Sequence, residues 1–248
     1  MIGKKALITG GALRIGNAVT MKLVEAGADV AVHFNKSETD AYELCDLINN
    51  DGGTAFPIEK DLSGKNAAAE LFEELDAYNF RPDILINSAS IYQPQGILEG
   101  ESDSYHTNID VNSLVPLFLS REMACRVNRG VIINFLDSRI TDYDHLHVPY
   151  HLSKKMLFSI TRMLSHELAP GIRVNAIAPG AILAPPGSTP WEIDKWKKRV
   201  KEDNPLKSIG TTEQISETLV FLVQNDFITG QVIFVDGGRH MKGSFYCL

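Results

Sequence analysis

Lys5-Ala6-Leu7-Ile8-Thr9-Gly10-Gly11-Ala12-Leu13-Arg14-Ile15-Gly16 is the stretch that decides the fold of this chain. A short apolar run begins almost at the first residue and empties into a glycine turn. Residues 17–26 carry apolar residues at 18, 19, 23, 24 and 26, a helical period that Gly27 stops. Residues 29–34 form the next apolar run. Strand, glycine turn, helix and strand make one βαβ unit. Glycines let backbone N–H groups approach a pyrophosphate, which then sits at the positive end of the helix. A glycine turn by itself is only a tight turn; between a buried strand and a helix it reads as a nucleotide site.

The alternation continues outward. Further strands are expected at 55–57, 84–87, 130–136, 173–177 and 231–235, and helices at 39–50, 65–78, 102–124, 150–168, 190–201 and 212–222. This order predicts an α/β fold: a parallel, doubly wound, seven-stranded Rossmann-like sheet with helices on both faces. The chain has 248 residues, 44% of them apolar, without linker, repeat or low-complexity tract, so residues 1–248 are expected to form one domain. Ligands of such sheets bind beyond the carboxyl ends of the strands. Those ends carry Thr9 to Gly11, Asp61, Asn87 to Ser90, Asp137, Ser138, Pro179 and Gly180.

The second strand ends in His33-Phe34-Asn35-Lys36-Ser37, with no acid before Glu38. A ribose 2′-hydroxyl wants an acid here, whereas a cation among hydrogen-bond donors suits a 2′-phosphate. Lys36 with His33, Asn35, Ser37 and Arg14 therefore favours NADP(H) over NAD, against the alternative of an ordinary polar loop.

Tyr150-His151-Leu152-Ser153-Lys154 sets a phenol and an ammonium four residues apart, one turn on one helix face. A phenol titrates near 10 in water, and a nearby lysine is expected to lower that value toward use at neutral pH. His145, His147 and His151 crowd this segment; they read as surface or substrate-mouth residues, with His151 pointing off the Tyr–Lys face.

Composition excludes other classes. No stretch approaches the 18 apolar residues of a membrane span, and with the first strand starting so early no signal peptide is expected. Cys45, Cys125 and Cys247 are odd in number and widely spaced, so a reduced, cytoplasmic protein is expected; no metal is expected either. Net charge is −7. The basic cluster at Lys195, Lys197, Lys198, Arg199 and Lys201 is interleaved with Glu192, Asp194, Glu202 and Asp203, a solvated helix face rather than a nucleic-acid patch.

Thr9-Gly10 with Gly16, Asp61-Leu62, Asn87-Ser88-Ala89, Asn112, Tyr150 with Lys154, Pro179-Gly180 and Val235-Asp236-Gly237-Gly238 together resemble the short-chain dehydrogenases/reductases over essentially the whole chain. The resemblance implies a nicotinamide cofactor, a small-molecule substrate and a homotetramer. It makes Tyr150 the acid/base, gives Lys154 the nicotinamide ribose, lets Asn112 help hold a relay water and puts Asp61 at the adenine. Gly10, Arg14, Ile15, Gly16, Leu62, Asn87, Ser88, Ala89, Pro179, Gly180 and Ile182 fall at cofactor-binding positions. Three departures resemble the pteridine reductase branch, which includes bacterial dihydromonapterin and dihydrofolate reductases. Arg14 replaces the middle glycine, Asn-Ser-Ala-Ser at 87–90 is followed by Ile91-Tyr92, and Asp137 stands where a serine is usual, thirteen residues before Tyr150. That branch implies substrate contacts for Arg14, Ser90, Tyr92 and Tyr150 and a pairing of Asp137 with the tyrosine.

The chemistry is coherent on its own terms. Reduction of a C=N bond needs hydride at carbon and a proton at nitrogen, and a carboxyl beside a phenol with a lysine below relays that proton. A one-residue change of register would instead make Ser138 the partner and favour a ketone. Tyr92 either walls a flat heterocycle or merely packs. Residues 181–188, rich in Pro and Gly, and the helix with Trp191 and Trp196 read as a lid, or else the tryptophans anchor that helix in the core. The expected function is NADPH-dependent reduction of a pterin or similar flat heterocycle. Its alternatives are a carbonyl reductase of the 3-oxoacyl carrier-protein type and a cofactor-binding scaffold without turnover.

Overall fold

A computed structural model describes residues 1–241, so Cys247 lies outside the described residues. Seven strands, β1 (Lys5–Thr9), β2 (Asp29–Phe34), β3 (Ala55–Glu59), β4 (Ile84–Asn87), β5 (Gly130–Phe135), β6 (Ile172–Pro179) and β7 (Val232–Val235), form one sheet in the order β3-β2-β1-β4-β5-β6-β7. Every pairing is parallel. The strands alternate between two cores, as a period of two requires. On β1, Ala6 and Ile8 enter one core with α1 (Arg14–Glu25), α2 (Glu38–Asn50) and α8 (Thr212–Gln224). Leu7 enters the other, with α3 (Ala67–Ala77), α5 (Val115–Ala124) and α6 (Val148–Glu167). The doubly wound reading holds. The chain reverses its winding between β1 and β4, which places the crevice for a ligand at their carboxyl ends.

The helix expected over 102–124 covers those residues without a break but is not α-helical throughout. It runs as α4 (Ser102–Ile109), a π-helical turn (Asp110–Leu114) and α5. Pro116 supplies the reason: it has no N–H for the carbonyl of Asn112 four residues earlier, and its ring crowds that carbonyl. The turn therefore widens at Asn112. Helix α1 also starts earlier than its apolar period suggests. Its first residue, Arg14, stands at φ +55°, in the region that favours glycine.

Candidate active site

The chain leaves β5 at Phe135 and reaches Asp137 in extended conformation. One carboxylate oxygen of Asp137, Oδ1, accepts from the Arg139 amide at 2.7 Å and caps the 3-10 turn Ser138–Ile140; the other, Oδ2, accepts from the Tyr150 hydroxyl at 3.0 Å. Asp137 is thus both a turn cap and the tyrosine's partner, and Ser138 is buried inside the turn. Pro149 pre-sets the first turn of α6, which carries Tyr150 and Lys154 inward. Lys154 Nζ donates to the Phe135 carbonyl at 2.8 Å and lies 5.7 Å from the centre of the Tyr150 ring.

The electrostatics reverse the expectation that Lys154 lowers the tyrosine. Burial, and then the Asp137 carboxylate, push Tyr150 well above 10. Burial also lowers Lys154 to about 8, with Asp137 working against the shift. The protein alone holds Tyr150 as a neutral phenol, the form from which a proton is donated.

Asn112 braces the same wall through Ser153. Its Oδ1 accepts from the Ile91 amide at 2.8 Å and from Ser90 Oγ at 3.2 Å; its Nδ2 donates to the Ile91 carbonyl and to Ser153 Oγ, each at 3.0 Å. Ser153 in turn donates to the Tyr150 carbonyl at 2.7 Å. The Asn112 side chain is therefore committed to protein, and Ser90 is held by it. Ser153, inside the Tyr-to-Lys spacing, is a positioning residue that its sequence position alone did not signal.

At the glycine turn, His33 departs from its expected role as a phosphate donor. Its Nδ1 accepts from the Gly10 amide at 3.1 Å and its Nε2 lies 2.9 Å from the Lys60 carbonyl, which leaves neither nitrogen for a ligand. Burial lowers its pKa to about 4, so the ring is neutral and locks β1 to β2. Thr9 Oγ1 accepts the Ser88 and Ala89 amides at 3.0 and 3.1 Å, and a Cβ on Gly10 would stand 3.1 Å from Ala89 Cα. Asn87 and Asn134 pair side by side in register at 2.8 Å, and Asn87 keeps a buried Oδ1 without a partner among the described residues. The first helical bond of α1 runs from the Asn17 amide to Leu13, so the amides of Arg14, Ile15 and Gly16 stay open. A Cβ on Gly16 would fall 2.0 Å from the Gly10 carbonyl oxygen. Lys36 and Asn35 are exposed beside Asp61, whose Oδ1 accepts from the Ser63 amide at 2.9 Å; that amide, chiefly, holds Asp61 below the usual carboxylate range. Ser37 sits at the start of α2 and Leu62 is buried.

Arg14 crosses the mouth of this crevice. Its guanidinium donates to the carbonyls of Ala184 at 3.1 Å and Leu183 at 3.4 Å. Gly180 is required where β6 meets β7, since a Cβ would stand 2.8 Å from Asp236 Cα, and the Ile182 side chain packs into the core. Helix α7 (Pro190–Asp203) buries no residue fully and Trp191 is 69% exposed, so this tryptophan does not anchor it. Arg239, which spacing did not signal, ties down the end of α7: it reaches Asp203 at 2.7 Å and Asp142 at 3.2 Å.

His151 is a second correction. It is buried, packed edge-on to Tyr150 at 5.1 Å, and both ring nitrogens lack partners among the described residues. The loop after Asp137, which brings Arg139, Asp144 and His147 near it, covers the side of α6 that looked exposed. Tyr92 meets Tyr150 edge-on at 4.7 Å and lies parallel to His147 at 4.1 Å, so one of its faces is already taken.

Comparisons with known proteins agree with this architecture. Residues 11–240 match the family model described as Enoyl-(Acyl carrier protein) reductase. The 3-oxoacyl-[acyl-carrier-protein] reductase FabG of Staphylococcus epidermidis is 28% identical over 97% of this chain and 100% of its own. The structure of FolM alternative dihydrofolate reductase 1 from Brucella canis, complexed with NADP, is 30% identical, covers 96% of this chain and 94% of its own, and has a TM-score of 0.89. The angucycline C-6 ketoreductase LanV with bound NADP is 28% identical, covers 97% and 96%, and has a TM-score of 0.88. A family model that spans nearly all the described residues, and solved folds that superpose on the same sheet and crevice, make this chain an oxidoreductase of the short-chain dehydrogenase/reductase family.

Proposed function

We propose that the chain is an NADPH-dependent reductase of a pterin or a similar flat heterocycle, acting on a C=N bond. The observation that carries the reading is the bond from the Tyr150 hydroxyl to Asp137, where a serine would present a hydroxyl to a ketone oxygen. The FolM relative supports the same substrate class.

The residues present fit a phosphorylated dinucleotide. Three open amides at the start of α1, glycines whose Cβ atoms would close the turn, and the cations Arg14 and Lys36, the latter in a stretch with no acid between His33 and Glu38, all suit an anion. Arg14, Ile15, Gly16 and Lys36 would hold the phosphates; Asn35, Ser37, Asp61 and Leu62 would border the adenosine end, and Lys154, Pro179 and Ile182 the nicotinamide end. When bound, the nicotinamide supplies hydride to the ring carbon. Tyr150 gives its proton to the ring nitrogen, so C=N becomes CH–NH. The charge left on the phenol oxygen faces the Asp137 carboxylate, its partner at 3.0 Å, and two like charges there need a cation close by; the Lys154 ammonium, 5.7 Å from the Tyr150 ring centre, is that cation. Lys154 must therefore be charged for turnover. The Asn112 carbonyl, denied its α-helical partner by Pro116, is the natural holder of a relay water, since the side chain is occupied. The reading also takes the protein as a cytoplasmic homotetramer; no helix among the described residues is long and apolar enough to cross a membrane.

NADPH oxidation with dihydrobiopterin or dihydromonapterin, compared with acetoacetyl thioesters, tests the proposal. Turnover of the pterins supports it. Turnover of the ketone alone replaces it with the carbonyl reductase reading that the FabG and LanV relatives favour. NADPH binding without oxidation by either class would leave a scaffold.

A further inference from the structure

The loop before α6 carries a group that proton transfer at Tyr150 does not use. Asp144 Oδ1 accepts from the Leu146 amide at 2.9 Å, and its Oδ2 lies 2.9 Å from Nδ1 of His147. A carboxylate only accepts, so Nδ1 carries the hydrogen. The His147 ring lies parallel to Tyr92, with centroids 4.1 Å apart and planes 9° apart, and Tyr92 meets Tyr150 edge-on. The Tyr92 oxygen also stands 3.2 Å from Nδ1. Parallel rings put that oxygen over the imidazole face, out of the plane of the N–H, which leaves Asp144 as the partner. The backbone is pinned as well: His147 bridges to Gln95, and the Val148 amide donates to the Gln95 carbonyl at 3.0 Å. His147 is thus fixed by its carboxylate, its stack and its main chain. Its Nε2 has no protein partner among the described residues, and it is absent from the buried groups left without one.

With Nδ1–H committed to Asp144, Nε2 accepts when the ring is neutral and donates when it is protonated. A carbonyl or carboxylate satisfies only the second state and an amide N–H only the first. A hydroxyl satisfies both. Two ring contacts separate His147 from Tyr150, which sets His147 outside the reacting bond, where a substituent of the ring being reduced, and not the ring itself, would meet Nε2. We propose that His147, held by Asp144, is a specificity-determining residue that binds a hydroxyl-bearing side arm of the substrate through Nε2. This rests on the reading that the Tyr150 centre reduces a pterin-class ring.

The test measures NADPH oxidation by the full chain with two dihydropterins, one bearing a dihydroxypropyl arm at C6 and one bearing a methyl group there. His147→Phe keeps the stack on Tyr92 and removes both nitrogens. It is expected to raise KM for the dihydroxypropyl substrate about tenfold, the scale of one hydrogen bond, and to keep kcat within about threefold. Both constants for the methyl substrate stay unchanged. An equal rise in KM for both substrates would mean that His147 merely supports Tyr92 and would overturn the inference, as would no change with either. If His147→Phe does not fold, Asp144→Asn is measured in the same way, with an arm-dependent rise in KM expected and an arm-independent result overturning. Wild-type enzyme that reduces neither pterin removes the underlying reading and this inference with it; wild type that reduces both without an arm-dependent effect in the variant removes only the inference.

Discussion

The two walls of the crevice are built on opposite terms. On one side Asp137, Tyr150, Lys154, Asn112 and Ser153 form a hydrogen-bonded cluster on strand and helix ends, largely buried, with Tyr150 and Lys154 each partnered. On the other side Arg14 reaches across exposed loop carbonyls at 183 and 184, and α7 rests on the protein without a fully buried residue. The buried wall fixes protonation states, because desolvation there moves Tyr150 up and Lys154 down. The exposed wall cannot do this, since water screens it; it can only tune affinity and access. Substitutions on the first wall should therefore cost chemistry, and those on the second should cost binding.

The largest effect that tests this contrast is Tyr150→Phe. Losing the acid is expected to lower kcat by about 10²- to 10⁴-fold while NADPH binding, followed by fluorescence titration, is retained. An active variant would break the comparison at its base. Asp137→Asn is expected to lower kcat about 10²-fold, the lower end of that range, with KM for NADPH little changed. If Ser138→Ala abolishes turnover and Asp137→Asn does not, the partner of the tyrosine is wrong.

Lys154 offers a pH test. Its folded pKa of about 8 lies below the ordinary 10.5, so a buried ammonium costs the folded state most below pH 8. Between these values the unfolded chain holds a proton that the folded chain does not, and wild-type stability rises with pH. Lys154→Met is expected to be inactive yet at least as heat-stable as wild type at pH 7, with its relative advantage shrinking as pH approaches 10 in calorimetric scans. Wild-type kcat is expected to fall as pH rises through about 8, where the cation is lost.

The smallest effects belong to the exposed wall. Arg14→Gly relieves a left-handed backbone that costs about 1 kcal/mol and removes the two loop contacts. The expected result is KM for NADPH about tenfold higher, with kcat within about threefold and the melting temperature little changed. Trp191→Ala is expected to change stability by less than about 0.5 kcal/mol in denaturant titration. A large loss of stability in either variant would erase the difference between the two walls.

Particular residues show how far the sequence could be read. Tyr150 and Lys154, four apart on a helix, and the glycine turn between strand and helix are local patterns, and local periodicity is what a sequence displays openly. The π-helical turn at Asn112 was also present in the sequence, in Pro116, but its consequence lies one turn back and is easily passed over. His33 departs from its expected role because its partners, Gly10 and Lys60, arrive from 23 and 27 residues away. His151 is buried against expectation because a helical face tells which residues share a side and not which loop will cover it.

By itself, then, the chain's amino-acid order determined the βαβ succession, the parallel sheet, the candidate site at the strand ends and the proposed tyrosine, lysine and aspartate set along β5 and α6. Only the tertiary structure decided that Asp137 faces the Tyr150 hydroxyl, that the phenol is held protonated and that Arg14 spans to residues 183 and 184. Periodicity and spacing are properties of neighbours in the chain. Desolvation and hydrogen-bond partnership depend on groups that folding brings from far along it, and these set the charge each group carries.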